Sequence, residues 1–101
     1  MENKYALLAR VEAKPEKADQ VEQFLNDAVN IAADESGTNT WFALKFDDTH
    51  FGIFDTFSDE GGRNAHLNGE IADALMSKGD ELFTSEPTIE KIDLIASTVT
   101  G

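Results

Sequence analysis

The residues best suited to chemistry are an arginine and a histidine in the segment that follows an aromatic strand. Arg63 and His66 stand three residues apart, a spacing that puts them on nearly the same face of a helix. An imidazole can take up or release a proton near neutral pH, and a guanidinium can hold an anionic substrate. A single histidine on a helix is also often structural or solvated. The sequence therefore leaves a catalytic and a structural interpretation of His66 open.

A carboxylate interrupts an apolar stripe just before this helix. Asp55 alternates with apolar residues in the stripe that runs from Phe51 to Phe57, so the face that buries those residues also receives Asp55. Burial of a carboxylate costs free energy unless the group is paired or its pKa rises until it is neutral. We expect Asp55 to pair with Arg63, His66 or a lysine, or to titrate with a raised pKa. Functional sites and structural ion pairs both produce this pattern.

Aromatic side chains flank these polar residues and could line a pocket. Trp41 and Phe42 begin the preceding strand, and Phe54 and Phe57 lie on the strand that carries Asp55. Together they would suit a flat aromatic ligand, although such residues also commonly form the core. The sequence thus predicts a pocket for a small aromatic molecule as one of two interpretations.

Several familiar chemistries are missing from the sequence. It contains no cysteine, no phosphate-binding loop, no dinucleotide-binding glycine pattern and no serine nucleophile elbow. His50 and His66 are too isolated from patterned carboxylates to indicate a metal site, and we expect His50 to be exposed and without a role. A site without metal or cofactor is the simplest expectation.

The composition limits the possible partners. The chain of 101 residues has room for one core and predicts a single domain over 1–101. Its 8 basic and 20 acidic residues give a net charge of −12, which repels phosphate backbones and anionic lipids. We therefore expect no nucleic acid or membrane partner, and the beginning of the chain, which is unlike a signal peptide, favours the cytoplasm.

The apolar patterns predict the order βαββαβ. Alternating or continuous apolar runs indicate strands, and apolar residues at three- and four-residue spacing indicate helices. The predicted strands cover 5–11, 40–46, 51–57 and 89–96; one helix covers 15–35, and a second, starting at an N-cap at Ser58, is broken at Asn68-Gly69. This order fits an α+β, ferredoxin-like fold with a four-stranded antiparallel sheet and both helices on one face.

The second face of this sheet is apolar as well. The first strand carries apolar residues on both sides, and the second and third strands carry aromatic residues on both. Because a large exposed apolar patch is rare on a soluble monomer, a second copy of the chain is the simplest cover. We expect a two-fold homodimer with an interface of about 1,600 Å² or more; a face less buried than the pattern indicates is the alternative.

Residues 51–58 (FGIFDTFS), together with Ala65-His66-Leu67, resemble the antibiotic biosynthesis monooxygenase domain family of the dimeric α+β barrel superfamily. Asp55, Phe57 and His66 occupy the acidic, aromatic and histidine positions of that family. The resemblance implies the ferredoxin-like dimeric barrel and a cofactor-independent oxygenase that acts on hydroquinones or polycyclic phenols in a cavity between sheet and helices.

The chain departs from the family pattern at two places. The family often has tryptophan at the position of Phe57, and a second histidine where this chain has Glu70-Ile71. The haem-degrading branch uses an asparagine on its first strand, which is absent from 5–11. The resemblance therefore implies no haem.

Three functions remain as expectations. In the first, a monooxygenase, His66 deprotonates or orients a phenol or hydroquinone, Asp55 orients His66 or shares its proton, and Arg63 stabilises the resulting anion. In the second, the protein is a non-catalytic dimeric module that binds a small molecule or is associated with stress. The third is a lyase or isomerase, in which His66 and Asp55 move protons without oxygen.

Overall fold

The structure is a computed structural model and describes residues 3–98. Within that range the strands form a four-stranded antiparallel sheet in the order β2-β3-β1-β4, which confirms the ferredoxin-like α+β fold. The predicted domain of 1–101 also includes residues 1–2 and 99–101, which lie outside the described residues.

The elements follow the predicted βαββαβ order, with the second helical region divided. They are β1 (Tyr5–Glu12), a 3-10 turn (Pro15–Lys17), α1 (Ala18–Ala33), β2 (Thr40–Lys45), β3 (His50–Phe57), α2 (Glu60–Leu67), α3 (Glu70–Ser77), α4 (Gly79–Leu82) and β4 (Thr88–Asp93). The break between α2 and α3 falls at Asn68-Gly69, as the sequence predicts.

Most predicted boundaries differ from the observed ones by one to three residues, and two of the differences have a direct physical reason. The last strand was expected over 89–96, but β4 ends at Asp93, whose partner Tyr5 is the first residue of β1. Past that pair, β1 offers no further strand to extend the ladder. The N-cap of α2 is Asp59 rather than Ser58, because the helix begins at Glu60 and an Asp59 carboxylate oxygen accepts the Gly62 N–H at 2.7 Å.

The helices cover one face of the sheet and form the core with it. Buried apolar side chains from that face, from the helices and from the chain beside them form one cluster: Val11, Ala13, Val21, Leu25, Ala28, Ala32, Phe51, Ile53, Ile71, Leu75, Leu82 and Phe83. The opposite face carries Leu8, Phe42 and Phe54 side by side on three paired strands. Phe42 remains 52% exposed there, so this face is apolar and uncovered.

Candidate functional site

Asp55 lies at the centre of the sheet, on the face that the helices cover. It is paired with Leu7 of β1 and Trp41 of β2, and its side chain is 1% exposed. The strand alternation that buries Ile53 and Phe57 therefore also buries this carboxylate, as the sequence predicts.

His66 meets Asp55 from the buried side of α2. Its Nε2 lies 2.8 Å from Asp55 Oδ2, and its ring lies 5.6 Å from the ring of Phe57. The contact with Asp55 is close enough for an ion pair, but neither oxygen of Asp55 accepts a well-aligned hydrogen bond from the described residues. The contact is therefore an ion pair without an aligned hydrogen bond. Of the partners that the sequence allowed for Asp55, the structure selects His66.

A second carboxylate, absent from the sequence prediction, holds the other ring nitrogen. Glu35 Oε1 lies 2.5 Å from His66 Nδ1 and accepts a further hydrogen bond from the Thr38 hydroxyl at 3.0 Å. Glu35 stands just after α1, which ends at Ala33. One signal in the sequence could have drawn attention to it: an acidic residue is unfavourable at the negative end of a helix, so Glu35 needs a compensating partner.

Close backbone contacts at glycines bring Glu35 to α2. A Cβ added to Gly62 would lie 2.6 Å from the Gly37 carbonyl oxygen, so the loop after α1 touches the first turn of α2 where no side chain fits. A Cβ on Gly69 would lie 3.4 Å from a Glu35 carboxylate oxygen. These approaches set the loop against both ends of α2 and place Glu35 beside His66.

The surroundings of His66 and Asp55 favour the protonated form of both groups. Burial acts to lower the pKa of His66, but the carboxylates of Asp55 and Glu35 outweigh it and raise the pKa. Burial raises the pKa of Asp55, and the contact with His66 offsets only part of that effect. Two carboxylates, one buried and one partly exposed, therefore favour the charged form of the imidazole.

This arrangement predicts a pH-dependent contribution of His66 to stability. Because the pKa of His66 is raised on folding, its contribution is complete below its ordinary value of about 6.5 and is lost as the pH rises through the folded pKa. We expect the difference in free energy of unfolding between wild type and His66→Gln to be larger at pH 6 than at pH 9. Urea denaturation at both values measures the difference.

His50→Gln is the control for that experiment. The pKa of His50 is raised by its hydrogen bond to Asp47. This exposed histidine therefore makes its own contribution to the loss of stability as the pH rises. The fall attributed to His66 should persist in a His50→Gln background. An equal gap between wild type and His66→Gln at the two pH values would contradict the prediction.

A small cavity reaches Asp55 and His66. Its volume is about 30 Å³, and apart from these two residues its lining is apolar: Leu7, Ala9, Ile53, Leu67, Ile71, Ala72, Leu75 and Ile89. Such a volume suits water-sized occupants. The cavity lies between the sheet and α3, and Asp55 supplies a buried acceptor without an aligned donor at its wall.

Arg63 does not line this cavity. Its Nη1 donates a hydrogen bond to the Ile92 carbonyl at 3.2 Å and lies 3.5 Å from an Asp93 carboxylate oxygen, and its guanidinium stacks over the Tyr5 ring at 4.9 Å. The side chain is 8% exposed. Arg63 thus ties α2 to the ends of β1 and β4, and the structure does not bring it to an anion beside His66.

The four aromatic residues predicted for the pocket are divided between the two faces of the sheet. Phe57 is fully buried against His66, and Trp41 packs partly buried on the same face. Phe42 and Phe54 lie on the opposite face, since they pair with each other there and alternate with Trp41 and Asp55. They do not form one pocket in this chain.

None of the helices within residues 3–98 is long and apolar enough to cross a membrane. Across the same part of the chain, no group of three or more His, Asp or Glu side chains is arranged to hold a metal ion.

Comparison with solved structures shows a near relative. A protein of unknown function from Nitrosomonas europaea, NE2512, is 49% identical; the match covers 99% of this chain and 97% of that one, with a TM-score of 0.95. No protein-family model matches the chain. No curated protein matches it either.

More distant structures identify the fold. An antibiotic biosynthesis monooxygenase is 18% identical with a TM-score of 0.77, over 91% of this chain and 99% of that one. Rv0793 from Mycobacterium tuberculosis is 13% identical with a TM-score of 0.81, over 95% of this chain and 99% of that one. The chain belongs to the same family as NE2512 and has the fold of the antibiotic biosynthesis monooxygenases.

Proposed function

We propose that this protein is a cofactor-independent monooxygenase that oxidises a phenolic or hydroquinone-type small molecule beside His66. The observation that carries the proposal is the buried carboxylate of Asp55, which faces an apolar cavity without an aligned hydrogen-bond donor. A buried acceptor of this kind is satisfied by an occupant that donates a hydrogen bond. A hydroxyl group on an apolar ring provides both the donor and the apolar body.

The proposed chemistry begins with removal of the hydroxyl proton by the Asp55–His66 pair. The electron-rich anion then reacts with O₂. For a hydroquinone, one oxygen atom enters the ring and the other leaves as water, and the substrate supplies every electron that O₂ takes up. A positioned base of this kind accelerates proton transfer by roughly 10²–10⁴-fold.

The size of the cavity sets a condition on this proposal. Its volume of about 30 Å³ is far below the roughly 300–1,000 Å³ of typical small-molecule sites. An aromatic ring therefore requires α3, which contributes Ile71, Ala72 and Leu75 to the wall, to move away from the sheet. The small volume of the cavity also fits a second candidate function: a binding or stress-associated module that holds a small molecule without turnover.

Oxygen uptake with a panel of hydroquinones and phenols tests the proposal. We expect uptake that depends on the protein, and one labelled oxygen atom in the product when the gas is ¹⁸O₂. Saturable binding without uptake would support the binding module instead. A product formed equally well without oxygen would support a lyase or isomerase on the same scaffold.

We also propose that the protein is a homodimer in which the uncovered sheet face packs on a second copy. Phe54 lies at the centre of that face, paired with Leu8 on one side and Phe42 on the other. Phe42 is 52% and Phe46 50% exposed in the single chain, and burying such side chains is favourable by about 25 cal/mol per Å².

The mass in solution tests the dimer. We expect wild type to sediment at twice its chain mass of 11.1 kDa, and Phe54→Asp to sediment as a monomer because it places a charge at the centre of the interface. Val29→Asp is the matched control, since Val29 is 46% exposed on α1, away from this face. A wild-type monomer, or a Phe54→Asp dimer of undiminished affinity, would contradict the proposal.

A further inference from the structure

We propose that Asp55, His66 and Glu35 form a proton relay between the buried cavity and solvent, with Glu35 as its outer end. The inference rests on the proposed function for the identity of the molecule that delivers the proton. The relay itself is a property of this chain and can be measured without a substrate.

The first support is the placement of one carboxylate at each ring nitrogen. Nε2 faces Asp55 at 2.8 Å and Nδ1 faces Glu35 at 2.5 Å. An imidazole can gain a proton at one nitrogen and lose one from the other, so it connects two acceptors that never touch. A histidine that served only to neutralise Asp55 would need no second carboxylate.

The second support is the change in exposure along the three groups. The side chain of Asp55 is 1% exposed and lines the cavity, that of His66 is 7% exposed, and that of Glu35 is 22% exposed. Apart from His66, the side chains that line the cavity with Asp55 are apolar, so none of them can receive a proton from it. Glu35 can exchange its proton directly with solvent.

The third support is the absence of competing charges facing the ring among residues 3–98. The packed wall from α3 contributes only apolar residues, and Arg63, on the same helix as His66, is engaged with Asp93 and the Tyr5 ring. The charges that act on His66 are those of Asp55 and Glu35. These two carboxylates therefore set its proton affinity.

The transfer balances in protons and charge. Asp55 accepts a proton from the occupant, whose O–H bond breaks and leaves its electron pair on oxygen. His66 releases its Nδ1 proton to Glu35, which passes it to water. One proton enters at the cavity and one leaves at the surface. Asp55 changes from carboxylate to neutral acid, His66 changes from imidazolium to neutral imidazole, and Glu35 ends as a carboxylate, so the summed charge of the three groups is unchanged.

Glu35→Gln separates a relay from a structural hydrogen bond. The amide oxygen of glutamine still accepts the Nδ1–H bond at nearly the same position, but it neither carries the charge nor takes up the proton. We expect ¹⁵N NMR of the His66 ring to show a proton affinity at least about tenfold lower, because an opposite charge within reach is lost. Exchange of the Nδ1 proton with solvent should slow in parallel.

Glu22→Gln is the matched control, because it removes the same charge from an exposed position on α1 that is paired with Lys45. It should leave the ring titration and exchange as in wild type. Wild-type titration and exchange in Glu35→Gln would overturn the relay, whether or not the protein oxidises a phenol. Altered titration and exchange in a protein that oxidises no phenol would support the relay and count against the oxygenase alone.

Discussion

His66→Gln is expected to slow the oxidation of a hydroquinone about 10²–10⁴-fold, the range that a positioned base contributes. The amide N–H of glutamine can still reach Asp55, but the side chain cannot pass a proton on to Glu35 and cannot carry the positive charge that compensates Asp55. Initial rates of oxygen uptake at saturating substrate measure the effect. Equal concentrations of folded protein, verified by circular dichroism, make the rates comparable.

The other histidine provides the control for that measurement. The His50 side chain is 47% exposed at the turn between β2 and β3, where its ring contacts Asp47, so His50→Gln should oxidise the same substrate at the wild-type rate. Oxidation by His66→Gln at the wild-type rate would remove His66 from the mechanism. A loss of rate shared by both variants would mean that the assay reports a general effect of histidine on the protein.

The fold was predictable because its signals are local. The stripe along α1 and the alternating residues of β3 each indicate one element, and the order of elements leaves few ways to build a sheet. The end of β4 was not predictable from its own residues. Leu94 still donates its N–H to the Lys4 carbonyl, but strand pairing ends at the pair of Asp93 with Tyr5. The residues of β4 do not indicate where its partner β1 begins.

The site was predictable in part. The buried position of Asp55 follows from strand alternation. Because a buried carboxylate requires a partner, the candidates for the group that pairs with Asp55 were limited to a few cationic side chains. The contact with Glu35 joins residues 31 positions apart and depends on the backbone approach of Gly37 to Gly62. Such a contact is set by the packing of a loop on a helix, so no pattern along the chain reports it.

The predicted aromatic pocket could have been refined from strand geometry alone. Trp41 and Phe42 are adjacent in β2, and neighbouring residues of a strand point to opposite faces. Phe54 and Phe57 are three residues apart in β3, so they are also on opposite faces. Because aromatic residues stand on both faces of this sheet, one pair lies on the face of the site and the other on the proposed dimer surface.

Removing the imidazole should also cost the fold a large part of its stability. We expect His66→Leu to lower the free energy of unfolding by about 3–5 kcal/mol at pH 8, because Asp55, 1% exposed, is left as a buried charge without a partner. Small domains are stable by only about 5–15 kcal/mol. Urea unfolding followed by the fluorescence of Trp41, the single tryptophan and the β2 partner of Asp55, measures the loss.

A second variant separates the effect of charge from that of packing. Asp55→Val combined with His66→Leu removes both buried charges and should recover most of the loss, since a buried ion pair can be replaced by apolar side chains at little net cost. Glu35 keeps its bond from Thr38 and its access to solvent in this variant. A double variant as unstable as His66→Leu would mean that the packing of the ring, and not the charge of Asp55, makes His66 necessary for the fold.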